Sequence, residues 1–63
     1  MTTTAETYRI LLVDDEPLFR LALRTLLSES GLPLHIVGEA SDGREAMKWV
    51  RSHPELDIVI VDM

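Results

Sequence analysis

Three consecutive carboxylates, Asp14-Asp15-Glu16, directly follow the apolar run Ile10-Leu11-Leu12-Val13 in this chain of 63 residues. A second apolar run, Ile58-Val59-Ile60-Val61, ends in a further carboxylate, Asp62. Carboxylate oxygens suit a hard cation such as Mg2+, and a carboxylate beside Mg2+ can also attack phosphorus. If the two runs are neighbouring strands, Asp14, Asp15 and Asp62 converge on one pocket lined by oxygen atoms.

The same carboxylates also have a simpler interpretation. Acidic residues before a helix commonly cap it and complement its dipole, and Asp62 by itself would cap whatever follows its strand. The position of all three aspartates at strand ends favours a site, because open α/β sheets bind ligands at the carboxyl ends of their strands. A zinc site is disfavoured by the absence of cysteine and by the low histidine content, two residues.

The elements that carry these residues are predicted from hydrophobic periodicity. Runs that are apolar at every position are typical of strands buried on both faces of a parallel sheet. The predicted elements are strand one, Tyr8 to Val13; a helix from Pro17 to about Ser30; strand two, Leu34 to Ala40; a helix from Arg44 to about Ser52; and strand three, Asp57 to Val61. Short β-α-β connections with right-handed crossovers predict half of a doubly wound parallel sheet with strand order 2-1-3.

Helical spacing predicts which side chains of the two helices are buried. In the first helix the apolar stripe consists of Phe19, Ala22, Leu23, Leu26 and Leu27. Arg20 and Arg24 mark its solvated side. In the second helix the stripe consists of Ala46, Met47 and Val50, with Trp49 beside it and half exposed. Gly38, near the end of strand two, predicts a close approach of another backbone segment.

Composition limits the class of protein further. The net charge of −5, from 11 acidic and 6 basic residues, disfavours a general nucleic-acid surface. Residues 1–7 are polar and are expected to form a disordered arm ahead of a domain at 8–63. No apolar run approaches the roughly 20 residues that cross a membrane, so we expect no membrane contact and a cytoplasmic setting.

Three segments together resemble the receiver domain of bacterial two-component response regulators. They are Ile10 to Pro17 (ILLVDDEP), Gly38 to Ala46 (GEASDGREA) and Pro54 to Met63 (PELDIVIVDM). The resemblance covers nearly every residue after Tyr8. The segment Gly38 to Gly43 is most similar to regulators whose output domain is a LuxR-type helix-turn-helix.

The resemblance implies a flavodoxin-like (CheY-like) fold and a role for each matching position. Asp62 is then the phosphoacceptor that receives phosphate from a sensor histidine kinase. Asp15 binds Mg2+ directly, Asp14 binds it mainly through water, and Glu16 has no ligand role. Leu18 and Leu21 either help to dock the kinase or are scattered surface leucines. The family is not enzymatic, and the full-length protein controls transcription through a DNA-binding domain outside these residues.

A receiver domain is considerably longer than this sequence. Its fourth and fifth strands, with a switch hydroxyl and a phosphate-pairing lysine, are not among the 63 residues. We therefore expect this chain by itself to bind Mg2+ weakly and to accept phosphate poorly. Two alternatives stay open: a homo-oligomer that associates through the edge of strand three, and a magnesium-dependent phosphatase with an aspartate nucleophile.

Overall fold

Five elements follow one another in the computed structural model, which describes residues 7–62. They are β1 (Tyr8–Val13), α1 (Pro17–Ser28), β2 (Leu34–Ala40), α2 (Gly43–Ser52) and β3 (Ile58–Val61). All strand pairs are parallel and the sheet order is β2-β1-β3, which confirms the predicted α/β topology. Apart from Thr7, the arm predicted for residues 1–7 lies outside the described residues, as does Met63.

The pairing of β1 with β2 contains one irregularity. Ile10 pairs with Ile36, whereas the next residue, Leu11, pairs with Gly38. Val37 is therefore an extra residue in β2, as in a β-bulge. Because side chains of a strand alternate between its two faces, this insertion decides which face each later residue of β2 occupies.

The centre of the core is β1. Its four residues from Ile10 to Val13 are almost fully buried, which agrees with their uninterrupted apolar sequence. One continuous cluster lies between the sheet and α2. It is formed by Leu11, Val13, Ala40 and Ala46, with Trp49 and Leu56 packed against it. Burying a leucine of this kind stabilises the fold by about 1.5–3 kcal/mol, so β1 carries much of the apolar stabilisation.

The buried face of α1 is narrower than its periodicity predicts. Leu23 and Leu27 are half-buried, but Phe19, Ala22 and Leu26 are exposed, Leu26 to 66%. The helix packs mainly against β2. One side of the predicted stripe therefore has no strand to cover it within residues 7–62. The residues of α1 that are partly buried belong to the predicted stripe, but they are fewer than its periodicity predicts.

The prediction for α2 was wrong about Met47 and Val50, which are exposed. Ala46 is buried and Trp49 is half-buried, as predicted, and both face the core. The indole of Trp49 lies directly over Gly38 of β2. The close approach at Gly38 is therefore made by an aromatic side chain and not by backbone.

A side chain at position 38 is expected to destabilise the fold. A Cβ atom there would clash with the six-membered ring of the Trp49 indole, so the indole has to move. We expect Gly38→Ala to lower the free energy of unfolding by about 1–3 kcal/mol, as overpacked positions do. Urea denaturation followed by circular dichroism measures this. Gly43→Ala is the matched control, because a Cβ at Gly43 meets no atom within 4 Å; equal stability of the two variants would contradict the prediction.

The first helix ends two residues earlier than predicted. At its end Ser30 N donates to Leu27 O at 3.3 Å, a bond between residues three apart that closes the last turn. Gly31, two residues beyond the C-cap Glu29, has a φ of +79°, a conformation that glycine adopts without strain. With 12 and 10 residues, neither helix in the described part of the chain is long enough to cross a membrane.

Candidate functional site

Asp14 follows directly on the buried strand β1 and is itself buried, with 4% of its surface exposed. Its backbone N–H donates to Ala40 O at 3.0 Å, which extends the β1–β2 pairing by one residue. Its side-chain Oδ1 accepts the backbone N–H of Glu16 at 2.6 Å. The Asp14 carboxylate therefore points back toward the start of α1. Hydrogen bonds to Ala40 and to Glu16 hold the residue in place.

Asp15 and Glu16 lie in the turn between β1 and α1, and both are exposed. Glu16 is the N-cap residue of α1, but its side chain makes no capping bond. The helix instead begins at Pro17, a residue that suits the first helical position. Asp15 is thus an exposed carboxylate beside a buried one, at the carboxyl end of the central strand.

Asp62 follows directly on β3. Its backbone N–H donates to Val13 O at 3.0 Å, so it continues the pairing of β3 with β1. Asp14 and Asp62 consequently leave the sheet next to each other, on either side of the Val13 carbonyl. The Asp62 side chain is exposed.

The backbone thus brings the three aspartates to one edge of the sheet, as the sequence predicts. Their side chains do not gather further: within residues 7–62, no three acidic or histidine side chains form a group that is ready to hold a metal ion. The donor chemistry still fits Mg2+, because this ion takes one or two carboxylates and keeps several waters. The ligand roles of Asp14, Asp15 and Asp62 stay predictions.

Sequence reasoning missed an ion-pair cluster beside this edge. Arg20 Nε donates to Glu39 Oε1 at 2.9 Å, and Arg24 Nη2 contacts Glu39 Oε2. Arg20 was predicted on the solvated side of α1, yet its side chain is only 19% exposed and that of Glu39 only 20%. The available signal was Glu39 itself, because a carboxylate between Gly38 and Ala40 in a strand needs a partner when it is covered.

The start of α2 lies at the same edge. Asp42 caps the helix by accepting Glu45 N at 2.8 Å, and Glu45 Oε1 accepts both the backbone N–H and the hydroxyl of Ser41. This arrangement is similar to a capping box, except that Glu45 reaches back to Ser41, the residue before the N-cap Asp42. The hydrogen bonds from Ser41 hold the pKa of Glu45 below its usual value, and the positive charge of Arg20 contributes in the same direction.

Neither histidine joins the acidic edge. His35 is exposed on β2. His53 lies at the opposite end of α2, where its Nδ1 is 3.0 Å from Trp49 O and its ring stacks on the indole with 4.3 Å between centroids. The role of His53 in the structure is packing at a helix C-terminus.

Comparison with known proteins agrees with the resemblance described above. A family model described as "Response regulator receiver domain" matches residues 10–63. The chain is 44% identical over 54 residues to the response regulator UvrY of Escherichia coli and 44% identical over 55 residues to the transcriptional regulatory protein PdtaR of Mycobacterium tuberculosis. It is 43% identical over 56 residues to a protein-glutamate methylesterase/protein-glutamine glutaminase of Methanosarcina acetivorans.

These alignments cover 86–87% of this chain but a small part of each relative. The chain spans 24% of UvrY, 25% of PdtaR and 15% of the methylesterase. No solved structure is similar enough to count as a match. The shared part thus occurs in proteins whose names describe different activities.

Proposed function

Because this chain belongs to the response regulator receiver domain family, we propose that it accepts a phosphoryl group on Asp62 from a sensor histidine kinase. The observation that supports Asp62 most directly is the 3.0 Å hydrogen bond from its N–H to Val13 O. This bond supports the assignment because it brings the backbone of Asp62 next to Val13, the residue that precedes the acidic turn after β1. Asp62 is therefore the candidate acceptor, and Asp14 and Asp15 are the candidate metal ligands.

The proposed reaction is transfer from nitrogen to oxygen. A carboxylate oxygen of Asp62 attacks the phosphorus of a kinase phosphohistidine, the P–N bond breaks, and the imidazole nitrogen leaves with the bonding pair and takes up a proton. When bound, Mg2+ supplies positive charge that offsets the repulsion between the carboxylate and the phosphoryl oxygens.

The two remaining aspartates have different environments, which supports different roles. Asp15 is exposed and free to approach a cation directly. Asp14 is buried and already accepts the Glu16 N–H, which suits a ligand that acts mainly through water. In the full-length protein we propose that phosphorylation controls transcription through an output domain that binds DNA. The cytoplasmic setting and the absence of an enzymatic activity belong to the same proposal.

Phosphorylation of the chain by acetyl phosphate in the presence of Mg2+ tests this function. We expect slow incorporation that is lost in Asp62→Asn and is detected as an acyl phosphate by mass spectrometry. Asp57→Asn is the matched control, because Asp57 precedes the same strand at its other end and an asparagine there still accepts the hydrogen bond from Arg9 N. Equal incorporation in wild type and Asp62→Asn would contradict the assignment; fast incorporation in wild type would show that this chain needs no lysine from a later strand.

A second candidate function is self-association, and the exposure of β3 favours it. Ile58, Val59 and Val61 are all exposed, Val61 to 60%, although each belongs to a strand. Within the described residues β3 pairs with β1 on one side only. An apolar strand with a free edge is a template for a further strand, and we propose a second copy of this chain as its partner. No observation on the described residues favours the phosphatase alternative.

A further inference from the structure

Arg20 connects three segments of the chain. It belongs to α1, its Nε donates to the carboxylate of Glu39 on β2, and its Nη1 donates to the backbone carbonyl of Asp14 in the turn after β1. The guanidinium group suits this task because its donors form a rigid planar fork that addresses two acceptors at fixed directions. A lysine has no such fork.

The bond from Arg20 to the Asp14 carbonyl is the third hydrogen bond that holds Asp14 in place. Asp14 N donates to Ala40 O, Asp14 Oδ1 accepts Glu16 N, and Asp14 O accepts Arg20 Nη1. Only the last of these bonds comes from a side chain of another element. Since Asp15 is the next residue, the direction in which its carboxylate leaves the turn depends on how firmly Asp14 is held.

Glu39 determines which carboxylate the Arg20 guanidinium pairs with. Its Oε1 holds Arg20 and its Oε2 contacts Arg24, so one covered carboxylate faces two guanidinium groups. An Arg20 side chain without Glu39 would be a covered cation within reach of the aspartates. It would then pair with them and oppose a divalent cation at the same place.

We propose that Arg20 and Glu39 are a positioning pair for the acidic site. Arg20 fixes the Asp14 carbonyl so that Asp15 faces the metal position, and Glu39 keeps the Arg20 charge away from the aspartate carboxylates. This inference rests on the proposed function, because it concerns the affinity of the same site for Mg2+. Replacing a residue that hydrogen-bonds to a metal ligand commonly changes the affinity for the metal by about 10–100-fold.

The test is a titration of the whole chain with MgCl2, followed by the backbone amide NMR shifts of Asp15 and Asp62. We expect Arg20→Gln and Glu39→Gln each to raise the dissociation constant of Mg2+ by about tenfold or more. Arg20→Lys is expected to restore little of the lost affinity, since it keeps the charge but loses the fork. Arg24→Gln is the matched control, because Arg24 contacts the same carboxylate but makes no bond to Asp14; its dissociation constant should stay within about twofold of wild type.

A second readout needs no metal. Without Mg2+, hydrogen exchange at the Glu16 amide, which is bonded to Asp14 Oδ1, is expected to accelerate in Arg20→Gln relative to Arg24→Gln. Unchanged Mg2+ affinity and unchanged Glu16 exchange in Arg20→Gln would overturn the proposal, and so would full rescue by Arg20→Lys. These results leave the acceptor assignment intact, which fails only if Asp62→Asn is phosphorylated like wild type.

Discussion

Leu11→Ala is expected to leave most of the chain unfolded at room temperature. Leu11 is fully buried in the cluster that joins the central strand to α2. Truncating a leucine in such a place costs about 2–5 kcal/mol, from lost burial and from the cavity left behind. A core in a domain this small rarely supplies more than about 3–5 kcal/mol in total, so one truncation removes most of the stability.

Circular dichroism and Trp49 fluorescence during urea denaturation measure this effect. The matched control is Leu18→Ala, because Leu18 has 74% of its surface exposed and lies in a helix, where alanine is well tolerated. We expect the control to unfold within about 0.5 kcal/mol of wild type. A Leu11→Ala chain that unfolds cooperatively at the wild-type urea midpoint would show that β1 is not the centre of stability.

Val61→Lys is expected to weaken self-association of the chain without unfolding it. Val61 is the most exposed residue of β3, so a charged side chain there reaches water in the monomer, and lysine on an edge strand disfavours pairing with a further strand. We expect the dissociation constant of the dimer to rise by about tenfold or more, which corresponds to 1.4 kcal/mol.

Sedimentation velocity over a range of protein concentrations measures the association. Leu18→Lys is the control, since it places the same charge on an exposed apolar position of α1, away from the strand edge. It should associate like wild type. A wild-type chain that stays monomeric at every concentration, or a control that dissociates as readily as Val61→Lys, would rule out the edge of β3 as the interface.

The parts of the fold that follow from local pattern were predictable from the sequence. The apolar runs before Asp14 and Asp62 identify β1 and β3, and short connections then determine the parallel order of the strands. The same reasoning places the aspartates at one edge, because the carboxyl ends of parallel strands meet there.

The parts that depend on tertiary contacts were not predictable. Periodicity places Arg20 on the polar side of α1, and only the position of Glu39 on the neighbouring strand shows that this side is covered. Periodicity likewise places Met47 in the buried stripe of α2 and Trp49 beside it. The space above Gly38, which the Trp49 indole fills, exists only after β2 and α2 have packed.

The extra residue Val37 has a consequence for changes in chain length. After it, Glu39 pairs with Leu12 on the α1 face, and Gly38 pairs with Leu11 on the face covered by Trp49. Because Val37 is the unpaired residue, deleting it would remove the bulge and still leave Gly38 opposite Leu11 and Glu39 opposite Leu12, each on its present face. The ion pair and the aromatic packing therefore depend on the register of β2 after the bulge and not on Val37 itself. We expect a chain without Val37 to keep both.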